Sequence, residues 1–304
     1  MNKTLLFSGS SNLPLSEKVS KELGISLGKI DLTRFADGEL RPWIQEEVRD
    51  KTVFVLQSLS FPMDEHIMEL ALIGDAIRRS APKNMIAIIP YMGYARQDKQ
   101  HRVGEPVSAR VIAKFIEVSK FREVIMIDLH NDAIVGFFQI PVTHLSALSL
   151  LVTKLKSLQL KKPIVVSPDV GGVKRARNLA YELDVPMIVM EKKRFLDRHD
   201  QSESYQIIGD IAESDAIVID DVISTGGTIA NSAKSLKEAG AASVTVLATH
   251  GVLAGKAPEL LSSPDISRLI VSDSIAIPKE KLTRNMDIMT TAPLIAECIR
   301  TIVG

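Results

Sequence analysis

The chain repeats itself. Residues 5–35 and 165–195 carry one pattern at an offset of about 160 residues: apolar strand, polar turn, helical stretch, second apolar run. Each copy closes on the same pair, Arg34-Phe35 in the first and Arg194-Phe195 in the second. The match continues in order: VFVLQ at 53–57 answers AIVID at 216–220, and IAIIPY at 86–91 answers VTVLAT at 244–249. VTHLSALSLL at 142–151 answers DIMTTAPLIA at 287–296. Drift in the offset falls in loops, where insertions are tolerated. Matches in this order predict a duplicated domain rather than two unrelated halves, and 304 residues suffice for two domains.

Within each half, short β-branched runs alternate with helical stretches. Strands are expected at 4–7, 52–56, 85–89 and 124–127, then at 164–166, 187–189, 216–219, 244–247 and 269–271. Helices are expected over 64–79, 108–118, 173–183 and 228–239, with a further one at 144–156 after Pro141. Strand and helix in alternation mean an α/β fold with a mainly parallel sheet. No low-complexity linker divides the halves, so the boundary is set at 143/144, giving domains 1–143 and 144–304. The last helix, about residues 293–302, is expected to pack back on the first domain.

Lys plus Arg equals Asp plus Glu, 37 each, so no net field attracts nucleic acid or an anionic membrane. A site for phosphate must therefore concentrate its positive charge locally. No apolar run is long enough to span a bilayer, and the N-terminal run is too short for a secretory signal. A single cysteine, Cys298, rules out an internal disulfide framework and a cysteine-based zinc site; its apolar neighbours mark it as a core residue. A cytoplasmic protein is expected.

The most specific stretch is Ile217-Val218-Ile219-Asp220-Asp221-Val222-Ile223-Ser224-Thr225-Gly226-Gly227-Thr228. An apolar strand delivers two carboxylates at its end, the edge where open α/β sheets bind ligands. A small-residue turn then runs into a helix. Backbone N–H groups from Ser224 to Thr228 converge on a phosphate where glycine permits close approach, and the helix N-terminus adds positive charge. The Ser224, Thr225 and Thr228 hydroxyls add donors. Carboxylates do not bind phosphate, so Asp220 and Asp221 need another task, and two vicinal sugar hydroxyls supply it. Phosphate at one end and a diol at the other describe ribose 5-phosphate. An N-capped helix would explain one polar residue here, but not paired acids followed by STGGT.

This stretch resembles the phosphoribosyl-binding loop shared by phosphoribosyltransferases and the pyrophosphokinases that make their substrate. By itself it does not choose between them. Further segments resemble the ribose-phosphate pyrophosphokinases, and the likeness covers nearly the whole chain. RFADGE at 34–39 is similar to that family's FxDGE element, which implies that Phe35, Asp37 and Glu39 meet the adenine of ATP bound to a neighbouring subunit. YARQDK at 94–99 is similar to its ATP-binding loop, implying nucleotide contacts for Arg96 and Gln97. His130, in DLHND, and Asp169, in SPDVGG, match the positions that hold the Mg²⁺ carrying ATP. EKKRFLDRHD at 191–200 resembles the family's catalytic loop, with Lys192 and Arg194 as the basic pair acting on the transition state.

The resemblance implies two tandem phosphoribosyltransferase-like domains, ATP on the first and ribose 5-phosphate on the second. It also implies a homo-oligomer sharing ATP sites, and diphosphate transfer that supplies nucleotide and amino-acid biosynthesis. A phosphoribosyltransferase would need neither FADGE, ARQD nor a second half, and a non-catalytic regulatory relative would have lost site residues. No GxxxxGK[ST] run of the P-loop kinases occurs. The loop reads STGGT where many bacterial members carry a DTAGT-like form, and STGGT-like forms occur among relatives with different regulation. Phosphate activation, ADP inhibition and assembly size beyond a dimer are left open by that departure.

Overall fold

Strands that are apolar on both faces need cover on both sides, and this chain supplies it twice. The computed structural model describes residues 3–193 and 204–304, the side chains at 192, 193, 204 and 205 excepted. They group into two units, Met1–Ala147 with Ser274–Ala276 and Thr290–Gly304, and Leu148–Asp273 with Ile277–Met289.

The first unit runs β1 (Thr4–Ser8), α1 (Leu13–Leu23), β2 (Ile30–Arg34), β3 (Leu40–Ile44), β4 (Thr52–Leu56), α2 (Met63–Arg79), β5 (Asn84–Ile89), α3 (Ser108–Val118), β6 (Glu123–Ile127) and β7 (Val142–Leu145). Its main sheet is parallel in the order β1-β4-β5-β6-β7, while β2 and β3 form a separate antiparallel hairpin. Ile67, Leu70, Ile73 and Ile77 recur along one stripe of α2 and pack with Ala109, Ala113 and Ile116 of α3 against Val53, Val55, Ala87 and Met126.

The second unit opens with α4 (Leu148–Lys156), β8 (Pro163–Ser167), α5 (Val173–Leu183), β9 (Met187–Lys193) and β10 (Ser204–Ile208). It continues with β11 (Asp215–Ile223), α6 (Gly227–Glu238), β12 (Ser243–Gly251), α7 (Ala257–Leu261), β13 (Arg268–Ser272) and β14 (Met286–Met289). The sheet order is β10-β9-β8-β11-β12-β13-β14, with only the β10–β9 pairing antiparallel. Period two along β11 divides its residues cleanly. Ala216 and Val218 join the core under α6 and α7, while Ile217 and Ile219 join the core under α4 and α5.

The duplication is plain in the order of strands: β1-β4-β5-β6-β7 is matched by β8-β11-β12-β13-β14. The repeats differ at their second strand pair, a free-standing hairpin in one and an extension of the sheet in the other. α4 follows β7 in the chain but lies in the second unit, and α8 (Ala292–Val303) follows β14 but lies in the first, against α1. Cys298 sits half-buried on α8, where burial and then the Glu123 charge push its thiol up to about 11, which favours the protonated form.

One expected element is corrected. Residues 142–145 form β7, hydrogen-bonded to β6, so His144 is a strand residue and the helix begins only at Leu148. The sheet edge beside Val124–Ile127 claims this segment, a long-range choice that Pro141 does not signal. No helix among the described residues is long and apolar enough to cross a membrane.

Candidate active site

In the second unit, β11 carries Asp220 and Asp221 near its C-terminal end, runs on to Ile223, and the chain then turns through Ser224, Thr225 and Gly226 into α6. Gly226 has φ +77°, and a Cβ there would lie 3.2 Å from Leu261 Cγ, so both backbone and packing call for glycine. Ala254 N–H donates to Ser224 O at 2.9 Å, and Val252 and Leu253 N–H donate to Ile223 O at 3.0 and 3.1 Å. The loop after β12 thereby straps the turn in place. Thr225 and Thr228 are exposed and Ser224 is half-buried. The first-turn N–H groups of a helix have no partners within it, so α6 offers donors and a positive dipole end at an open turn.

The two acids are not alike. Asp221 is buried, 3% exposed, whereas Asp220 is partly open. Asp221 N–H donates to Asp220 Oδ1 at 2.8 Å. Burial and the neighbouring Asp221 carboxyl push Asp220 up to about 7, and the Arg175 guanidinium opposes that rise. Arg175 Nη1 lies 3.2 Å from Asp221 Oδ1 and 3.5 Å from Asp220 Oδ1.

Arg175 is a residue that sequence reasoning missed. Its signal is a cation in the first turn of α5, where the helix dipole disfavours it, three residues after the glycine pair of SPDVGG. Such a placement asks for an acid close by. Asp169 occupies the loop between β8 and α5: its Oδ1 accepts from Gly172 N–H at 2.9 Å and its carbonyl accepts from Ser167 Oγ at 2.7 Å. Because β8 and β11 are neighbours, this loop and the diacid share one sheet edge.

The first unit joins two of the predicted loops. His130 is exposed in the segment after β6, where Asp128 adopts φ +38°. Leu129 N–H donates to His144 Nε2 at 2.9 Å, and His144 Nδ1 is 3.6 Å from Asp132 Oδ1. Ala147 N–H donates to Asp128 Oδ2 at 3.2 Å. Asn131 Nδ2 donates to Asp98 Oδ2 at 2.7 Å, tying this segment to the loop that carries Arg96 and Gln97. Arg96 is exposed; Gln97 Oε1 accepts from Ser108 Oγ at 2.7 Å, so its side chain also secures the start of α3.

Gly93 lies where that loop crosses Leu59: a Cβ would stand 2.4 Å from the Leu59 carbonyl oxygen. Gly93→Ala is expected to cost about 1–3 kcal/mol by overpacking, read as a melting transition lowered by several degrees. An unchanged melt would mean that the crossing is not held.

Phe35, Asp37 and Glu39 stand on the tip of the β2–β3 hairpin. Phe35 is 52% exposed, with the Arg41 guanidinium 5.5 Å from its ring centroid. Gly38 has φ +96°, Arg34 Nη1 donates to Gly38 O at 2.8 Å, and Glu39 N–H donates to Asp37 Oδ1 at 3.2 Å. Asp37-Gly38 is thus a turn as well as part of the FADGE segment. Of the basic pair, Lys192 is placed in β9 opposite Tyr205 by its backbone alone, and Arg194 lies outside the described residues.

The repeat's own equivalent of the diacid is closed. At the end of β4, buried Gln57 donates through Nε2 to Glu69 Oε1 at 2.7 Å and accepts from Ser11 Oγ at 2.6 Å, while Ser10 N–H donates to the same Glu69 oxygen at 2.7 Å. A Cβ at Gly9 would meet Gln57 Oε1 at 2.3 Å. Polar side chains plug in the first unit the position that is open in the second.

His130 and Asp169 belong to different units. Among the described residues no three His, Cys, Asp or Glu side chains gather as a metal cage. One carboxylate and one imidazole make a donor set that fits Mg²⁺ only where substrate phosphates and waters complete the shell.

A family model described as the N-terminal domain of ribose phosphate pyrophosphokinase matches residues 4–119, and one described as the phosphoribosyl synthetase-associated domain matches residues 175–304. The chain is 42% identical to a ribose-phosphate pyrophosphokinase of Bacillus cereus, over 97% of this chain and 92% of that one. It is 41% identical to the Aquifex aeolicus protein of that name, over 99% and 96%. A crystal structure of phosphoribosylpyrophosphate synthetase from Mycobacterium smegmatis superposes with a TM-score of 0.93 at 36% identity, covering 99% of both chains.

Proposed function

This chain belongs to the ribose-phosphate pyrophosphokinase family, and we propose that it transfers the diphosphoryl group of MgATP to the 1-hydroxyl of ribose 5-phosphate, giving 5-phosphoribosyl 1-diphosphate and AMP. The observation that carries the sugar phosphate is the end of β11, where a partly open carboxylate and an open glycine turn lead into a helix N-terminus. An anion suits the turn and a diol suits the acid.

In this reading residues 144–304 take ribose 5-phosphate. Its phosphate lies on Ser224, Thr225, Gly226, Gly227 and Thr228, and its hydroxyls face Asp220 and Asp221. Residues 1–143 take ATP, with Arg96 and Gln97 on the nucleotide and adenine toward Phe35, Asp37 and Glu39 of a neighbouring copy. The 52% exposure of Phe35 on a hairpin tip favours such a shared site, and with it a homo-oligomer. His130 and Asp169 would hold Mg²⁺, which when bound neutralises phosphate charge. The 1-hydroxyl oxygen attacks the β-phosphorus in line. A new O–P bond forms, the bond between β-phosphorus and the α,β-bridging oxygen breaks, and AMP leaves with that oxygen. Lys192 and Arg194 offset the charge spread over the transferred group. The hydroxyl proton passes to solvent.

A phosphoribosyltransferase would share the turn at 224–228 but would need neither the hairpin tip nor the joined loops of the first unit. The two are separated by ³¹P NMR of purified chain with Mg²⁺, ATP and ribose 5-phosphate. AMP rising in step with a sugar diphosphate is the expected result. ADP in place of AMP would sink attack at the β-phosphorus.

A further inference from the structure

We infer that Arg175, anchored by buried Asp221, is a positioning residue that orients Asp220 as the carboxylate meeting the ribose diol. The inference rests on the ribose 5-phosphate reading above and divides the acid pair unequally.

One guanidinium nitrogen of Arg175 lies near an oxygen of both Asp220 and Asp221, yet the two acids are not equally accessible. Asp221 is 3% exposed, which leaves it little access to a sugar. Arg175 Nη1 lies 3.2 Å from Asp221 Oδ1, nearer than the 3.5 Å to Asp220 Oδ1. Asp220 Oδ1 takes the Asp221 N–H at 2.8 Å and faces Arg175 at 3.5 Å. With Oδ1 so held, Asp220, the more open of the two acids, is the carboxylate placed to meet the diol.

The fold supports this geometry from α5, which packs on both β8 and β11. A guanidinium there offsets the repulsion between adjacent carboxylates and fixes direction as well as charge. The other titratable groups on elements packed against this stretch include Lys174, Arg177, Tyr181 and Glu182 on α5, Asp169 beyond β8, and buried His250 on β12, in register with Val222. Lys234, Lys237 and Glu238 lie in the later turns of α6.

The test is the pH dependence of KM for ribose 5-phosphate in the full chain, for wild type, Arg175→Met, Arg175→Lys and Asp221→Asn. Removing the cation by Arg175→Met should move the acidic limb to higher pH by about one unit or more. Removing the neighbouring negative charge by Asp221→Asn should move it to lower pH. Arg175→Lys should restore most of the limb's position while KM stays raised, because the charge returns without the planar fork. A purely structural role would raise KM by one factor at every pH and leave the limb in place. That outcome, or shifts of the same sign in Arg175→Met and Asp221→Asn, would overturn the inference.

¹³C NMR of aspartate labelled at the side-chain carboxyl, assigned with Asp220→Asn, reads the same two shifts without turnover. It also confirms that each variant folds. A wild type that fails to bind ribose 5-phosphate would overturn the function and this choice of ligand, while opposite carboxyl shifts would still establish the Arg175 positioning.

Discussion

Lys192→Ala is expected to lower kcat by on the order of 10² to 10³, with KM for ribose 5-phosphate changed by no more than roughly threefold. Diphosphoryl transfer asks little covalent help of a protein. The barrier lies in bringing a hydroxyl in line with phosphorus and in bearing the charge that spreads over the equatorial oxygens. A cation reaching those oxygens only as they reorganise acts on the transition state more than on the ground state, which is why kcat and not KM should move. Arg194→Ala should behave alike. The double variant should lose less than the product of the two single losses, because both neutralise one charge. Initial rates of AMP formation under saturating substrates decide it. A Lys192→Ala chain with normal kcat and a KM raised a hundredfold would recast this residue as a ground-state binding group.

Asp220→Asn is expected to raise KM for ribose 5-phosphate by roughly tenfold to a hundredfold, the loss of about 1.5–3 kcal/mol of charge-assisted hydrogen bonding. Asparagine keeps the volume of aspartate, so a changed shape cannot supply the effect. Asp220 is pushed up to about 7 by burial and by Asp221. Only the ionised form accepts from both hydroxyls. The sign follows: wild-type KM should fall as pH rises through about 7, and it should rise again below that midpoint as the carboxyl takes up a proton. In Asp220→Asn this limb should vanish. A limb that persists unchanged in the variant would place the titrating group elsewhere.

Much of this was legible along the chain because it is local. Whether Ala216, Ile217, Val218 and Ile219 are buried on both faces is written in four successive apolar residues. Gly226 announces a left-handed turn, and the acids before it announce a ligand that is not phosphate. The duplication needed only two stretches of the same chain to be compared.

Other features depend on partners distant in sequence. The β2–β3 hairpin and the β9–β10 pair occupy the same place in the two repeats, yet one stands apart and the other extends the sheet. Residues 144 and 145, expected to start a helix, instead complete strand β7 because β6 has an open edge.

The sequence by itself determined two parallel α/β units, the diacid and the glycine turn, whereas the roles proposed for Phe35, Arg96, His130, Asp169 and Lys192 rest on resemblance to a family. Periodicity and turn chemistry report which face a residue turns and where the chain bends, and these are short-range properties. Only the tertiary structure decided which strands are neighbours, that Gln57, Glu69 and Ser11 plug the first unit's equivalent site, and that Arg175 stands over two acids 45 and 46 positions away. Those are contacts between elements, set by how helices close over a sheet, and residue spacing does not encode them.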